Sequence, residues 1–457
     1  MKSKIITQSN FLVVLIFGLF AVYFYFFSFI GSDYSPYYGD EFFYFKNAES
    51  FYQFSEFHGA FTYSGKGSKL LGFDPHGPAY PILYGSVAKL IGWHGPLIPI
   101  FNCGILIIAL FCLFLQKGQS LELKYIQVIL ILGSPVTLFY SFSFLPELLQ
   151  IAGAIFLFLQ FKQYYRTQKQ FDLILLTLLI LSLGMIRTIW FFALIALMIS
   201  PKGINWRVGL GLLLLALSLS YFSQALFHEP VPNTFSELSE LVRSKNYGEA
   251  VEVLIFNLKR NLYFVGTYSE GKFYTIQKIW LLASIAFAWV FFRKEKLVQV
   301  GLLIFGMTYL FNMFFYKNYS WVDLRMYTPI LLFINLSMIA SSNHKFISKS
   351  LVVMGLSSFV LIIPLSKKLI SYRIISDLKN IPESTKEALL DLNQPLILIS
   401  KQALQEYSLD QLPISTREKK TIRYILPFYE VEIEQPTHKI TEEKGQLKVS
   451  PVKILSQ

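Results

Sequence analysis

Charge is scarce in this chain. Asp, Glu, Lys and Arg together supply 15% of its 457 residues, against roughly 25% in soluble proteins. That scarcity excludes a set of ordinary water-soluble domains. There are only two cysteines, Cys103 and Cys112, nine apart in one apolar stretch with no CxxC. A disulfide framework and a thiolate metal site are therefore excluded, and both read as packing residues. His58, His76, His94 and His228 match no closed metal-ligand spacing. The run Ser64-Gly65-Lys66-Gly67-Ser68 lacks the first glycine and the spacing of a phosphate-binding loop. No internal repeat or low-complexity tract is visible.

What is abundant is apolar. Residues of the AVILMFWYC set make up 54% of the chain, with 44 Phe and 27 Tyr. A chain of this composition is expected to have lipid as part of its solvent. Lys and Arg outnumber Asp and Glu by 41 to 29, a net charge of +12. In a soluble protein that excess would suggest nucleic acid; in an apolar chain it marks the cytoplasmic side, and no nucleic-acid partner is expected.

The charges are unevenly spread. Residues 1–365 hold 27 basic and 17 acidic residues, while 366–457 hold 14 and 12. The composition thus predicts a membrane body over 1–365 and a small α/β domain of soluble character over 366–457. Apolar stretches run at about 11–30, 97–115, 125–141, 146–161, 172–186, 188–200, 207–227, 276–292, 297–315, 323–341 and 347–365. Basic connectors carrying Lys117 and Lys124, Lys162, Arg166 and Lys169, Lys202 and Arg207, Arg293, Lys294 and Lys296, and Lys345 and Lys349 alternate with nearly bare ones. The positive-inside rule then predicts an α-helical multi-pass membrane protein of about eleven crossings. Its N-terminus is cytoplasmic and its C-terminus extracytoplasmic, in a bacterial plasma membrane. Residues 78–93, with two prolines and Lys89, are expected to form an interfacial or re-entrant helix rather than a crossing.

Three segments fall on the outer side: 31–96, 228–275 and 366–457. The first holds Asp40-Glu41 among aromatics, where a partly desolvated carboxylate becomes a usable general base; a solvated acidic loop is the plainer reading. Glu147 follows Pro146 at the outer end of an apolar stretch. It is either functional, as acids beside membrane spans tend to be, or a helix-starting residue suited to the dipole. Asp74 and His76 sit beside Pro75 and Pro78. Arg187 is expected at the outer turn of a short helical hairpin, because a mid-bilayer position would cost several kcal/mol. Arg325 enters an apolar stretch from outside, able either to snorkel or to hold a phosphate. The 228–275 segment carries apolar residues at helical spacing, which suggests amphipathic surface helices.

Taken in order, these landmarks resemble the GT-C class of glycosyltransferases, in the style of the protein O-mannosyltransferase and aminoarabinose-transferase superfamily. The motifs are Gly39-Asp40-Glu41 in the first outer loop; Asp74-Pro75-His76-Gly77-Pro78 leading into an interfacial helix that ends near Gly92; Leu145-Pro146-Glu147-Leu148; Arg187 at a hairpin turn; and Arg325-Met326-Tyr327-Thr328-Pro329. The sequence departs from the family at Gly77, where a second proline is usual. The resemblance covers roughly residues 1–340 and rests on the order of the motifs.

It implies an inverting transferase that moves a sugar from a polyprenyl-phosphate donor to a glycan, lipid or protein acceptor on the outer face. On that reading Asp40 is the base, and Glu41 helps position the acceptor. Arg325, then Arg187, meets the leaving phosphate, and Glu147, Asp74 and His76 line the substrate site. A divalent cation held by Glu41 and Glu147 is left open. Two other readings remain: a ligase or polymerase of outer-face glycans, and a lipid-linked sugar transporter. A transporter would carry charged residues near the bilayer midplane.

Overall fold

The computed structural model describes residues 36, 39–55, 59–65, 78–116, 119–134, 137, 140–141, 143–200, 203–227, 234–266, 272–315, 326–341, 350–351, 353, 378–427, 433–443 and 445–452. The first described helix, α1 (Gly39–Phe54), opens with Asp40 and Glu41 in its first turn, where acidic side chains oppose the helix dipole. Helix α2 (Ala79–Ile91) starts at Pro78 and stops at Gly92, whose φ of 88° suits glycine. Next come α3 (Leu97–Phe114), α4 (Leu121–Leu132) and α5 (Glu147–Thr167). The Ser120 hydroxyl caps α4 by accepting from the Leu123 amide.

Helix α6 (Gln170–Ile186) turns through a 3-10 segment (Thr188–Phe192) into α7 (Ala193–Met198). The remaining body helices are α8 (Trp206–Phe227), α9 (Thr234–Arg243), α10 (Tyr247–Gly266), α11 (Lys272–Phe292), α12 (Lys296–Phe315) and α13 (Thr328–Ser341). Helix α5 is central to the packing. It lies against α3, α6 and α13, with Phe158 and Phe161 both edge-on to Phe333. Every residue of α13 from Thr328 to Ile339 is buried.

These helix lengths correct the expectation of an eleven-crossing, multi-pass membrane body. Among the described residues, two helices are long and apolar enough to cross a bilayer, Leu97–Phe114 and Lys296–Phe315, with 56% and 39% of their apolar windows buried inside the protein. A crossing needs about 20 residues to span roughly 30 Å. The stretch at 125–141 stops being helix at Leu132 after 12 residues, and the one at 323–341 yields a helix of 14. The stretch at 188–200 is broken by its 3-10 start. Helix α5 has 21 residues but carries Glu147 at its start and Arg166 in its last turn, and buries much of its surface in protein. The stretches at 11–30 and, apart from three residues, 347–365 lie outside the described residues. A helix buried by its neighbours needs the same apolar composition as one in lipid, so apolar stretches alone do not count crossings. The chain is a largely helical protein with a small mixed sheet near its C-terminus.

That sheet has five strands in the order β1-β3-β2-β4-β5: β1 (Phe61–Thr62), β2 (Leu396–Ile399), β3 (Arg423–Ile425), β4 (His438–Glu443) and β5 (Gln446–Pro451). Only the β4–β5 pairing is antiparallel. Two short helices, α14 (Glu383–Leu390) and α15 (Lys401–Glu406), pack on it. Strand β1 belongs to the first loop, far away in sequence from its partner: Phe61 aligns with Tyr424 and Thr62 with Ile425. Further bonds extend the join, Leu426 N–H to Thr62 O at 2.9 Å and Glu434 N–H to Ser64 O at 2.7 Å. A second apolar core forms there, in which Phe42, Phe43, Phe61 and Tyr63 meet Ile397, Leu412 and Tyr424.

Phe61 is fully buried and edge-on to Tyr424, with ring centroids 5.2 Å apart. Phe61→Ala is expected to cost about 3–5 kcal/mol and to free the tail sheet for proteolysis. Denaturant melts with limited proteolysis measure both; an unchanged midpoint with an intact tail would mean that β1 does not hold the sheet.

Candidate functional site

The two acids at the start of α1 have different surroundings. Asp40 is partly exposed, and its Oδ1 accepts the Tyr63 hydroxyl at 3.2 Å. Glu41 is fully buried. Its Oε1 accepts two donors from the turn before α5: the Ser143 hydroxyl at 2.8 Å and the Phe144 amide at 3.2 Å. The Ser143 Oγ in turn accepts the Leu145 amide at 2.9 Å. A buried carboxyl without donors would be costly, so these bonds fix where α1 meets α5.

Two residues beyond Leu145 the same turn delivers Glu147, whose side chain is 3% exposed. Pro146 precedes it and Glu147 occupies the first helical turn, an arrangement favoured at helix starts. The Arg187 Nη2 lies 3.7 Å from Glu147 Oε1. That is an ion pair, but too long for a hydrogen bond. The Nη1 of Arg187 has no hydrogen-bond partner among the described residues, although the side chain is 20% exposed. One buried guanidinium donor is thus left without an acceptor among the described residues.

Arg187 owes its place to a tight turn. Helix α6 ends at Ile186, and a Cβ on Gly184 would stand 2.2 Å from the Phe191 ring; only glycine permits the 3-10 segment to fold back so closely. A buried relay then ties the turn to α5. Trp190 Nε1–H donates to Gln150 Oε1 at 2.7 Å, and Gln150 Nε2 donates to the Tyr80 hydroxyl at 3.2 Å. That hydroxyl donates to Ile186 O at 3.2 Å. Tyr84 donates to Asn102 Oδ1 at 3.1 Å, and Asn102 Nδ2 reaches Leu145 O at 3.2 Å. Burial first, then the Tyr80 and Glu147 charges, push the Tyr84 phenol well up, against the Asn102 hydrogen bond. Tyr84 therefore remains a neutral donor.

Of the residues singled out by sequence, Glu41, Glu147 and Arg187 are brought together by the 143–147 turn, and Asp40 adjoins Glu41 with its carboxylate on Tyr63. Asp74, His76 and Arg325 lie outside the described residues. Sequence reasoning missed Tyr63, Ser143, Gln150 and Trp190. Gln150 carries a faint signal, a polar side chain one turn after Glu147 in a run that is otherwise apolar as far as Leu159. No group of three or more His, Cys, Asp or Glu among the described residues is placed to hold a metal ion. No family model, curated protein or solved structure matches the chain.

Ser143→Ala removes a donor from the buried Glu41 carboxyl. It is expected to lower stability by about 1–3 kcal/mol, read from denaturant melts; a change within 0.5 kcal/mol, the usual range about a neutral site, would mean that Glu41 does not depend on this bond.

Proposed function

We propose that the protein is a membrane-bound inverting glycosyltransferase that moves a sugar from a polyprenyl-phosphate donor to a hydroxyl acceptor. The observation that carries this reading is the turn at 143–147, which bonds Glu41, the neighbour of the partly exposed Asp40, and leads into Glu147, the ion-pair partner of Arg187. In the reaction Asp40 takes the acceptor's hydroxyl proton as its oxygen attacks the anomeric carbon. The bond from that carbon to the phosphate oxygen breaks on the opposite face, inverting the centre. Arg187, together with Arg325 as the sequence suggests, neutralises the charge on the departing phosphate. Glu147 holds Arg187, and Glu41 acts as the anchor of the helix that carries Asp40.

A polyprenyl donor requires contact with lipid, and the outer surface supports this. Leu214 and Leu215 on α8 and Leu282, Trp289 and Phe291 on α11 are about half or more exposed, as side chains facing hydrocarbon would be. On this reading the membrane is a bacterial plasma membrane, with Asp40 on its extracytoplasmic side.

The test is sugar transfer by purified protein with a panel of polyprenyl-phosphate sugars. Wild type transfers from at least one donor, and Asp40→Asn loses transfer while keeping its melting temperature. Near-wild-type transfer by Asp40→Asn removes Asp40 as the base, and no transfer from any donor removes the reading.

A further inference from the structure

At the far end of α5 from Glu147 the chain gathers cations. Lys162 donates to Gln116 Oε1 at 2.8 Å, just past the end of α3, and its ammonium lies 5.9 Å from the Phe158 ring centroid. Lys124 on α4 lies 5.2 Å from the Phe114 ring centroid. Arg166 is exposed in the last turn of α5. Burial first, then Arg166 and Lys124, hold the Lys162 amine down to about 8. No carboxylate is among the groups acting on it. In the same connection both amide atoms of Gln119 are buried without a partner among the described residues. Two helices, α4 and α5, therefore bring positive charge together beside the end of α3.

We infer that Lys124, Lys162 and Arg166 form a binding site for the phosphate of an anionic phospholipid. Charge complementarity selects an anion, and a phosphate would satisfy all three cations. The apolar rim selects a lipid over a free ion. Leu115, next to Gln116, is 68% exposed, and Phe171, just past the end of α5, is 67% exposed, positions suited to acyl chains. Anionic lipid is attracted to basic groups at a membrane surface. The inference rests on the lipid-facing reading of the body, not on the transfer chemistry.

The test uses the full chain in detergent, titrated with phosphatidylglycerol, phosphatidylcholine or inorganic phosphate, with melting temperature as readout. Phosphatidylglycerol should stabilise at lower mole fraction than phosphatidylcholine, and inorganic phosphate should leave the melting temperature unchanged. Lys162→Met, which keeps the buried stem, and Lys124→Gln should each weaken half-saturation about fivefold. Equal stabilisation by the two lipids would overturn the site while sparing the lipid-facing surface. No effect of either lipid would overturn both. An equal effect of inorganic phosphate would overturn the lipid as its source.

Discussion

A carboxyl group taken out of water must find donors, and the burial of Glu41 imposes that demand on the start of α1. The donors come from one turn, the Ser143 hydroxyl and the Phe144 amide, 102 and 103 residues further along. Because Glu41 follows Asp40 directly, the bonds that satisfy the first also set the second. Because Ser143 and Phe144 lead straight into Pro146 and Glu147, the same bonds set the start of α5. The Glu147–Arg187 pair and the relay through Gln150, Trp190 and Tyr80 build on that junction.

Helix α1 is gripped again from the C-terminal sheet. Phe42 and Phe43 enter the core under β2 and β3, and the buried Lys46 ammonium donates to Leu412 O at 3.0 Å. Tyr63, which donates to Asp40, stands directly after β1, and β1 is paired with β3. The tail thus reaches the Asp40 carboxyl through two residues of strand and one hydroxyl. A sheet that looks like an appendage is part of what orients the proposed base.

The polar landmarks were legible because they are rare. A paired acid at 40–41, an acid after a proline at 146–147 and an arginine at a hairpin turn all stand out against an apolar background. The strand at 396–399 is legible in the apolar run 396–399, which Pro395 and Lys401 bound. Helix length was not. Nothing in hydropathy separates α13, buried on every side by protein, from a helix wrapped in lipid, so summing apolar stretches overcounted crossings. Strand β1 was invisible for another reason: two residues carry no periodicity, and their partners lie more than 350 positions away. Ser143 was equally hidden, because a hydroxyl amid aromatics does not announce which distant carboxyl it serves.

Body and tail hold α1 between them as one unit. Amide-resolved hydrogen exchange on the intact chain tests it at the Tyr424 and Leu426 amides, which donate to Ala60 O and Thr62 O across the β1–β3 join. The account predicts that both exchange as slowly as amides in the middle of α1, such as that of Ala48. Exchange at these two positions at the rate of open backbone, with α1 still protected, would contradict it.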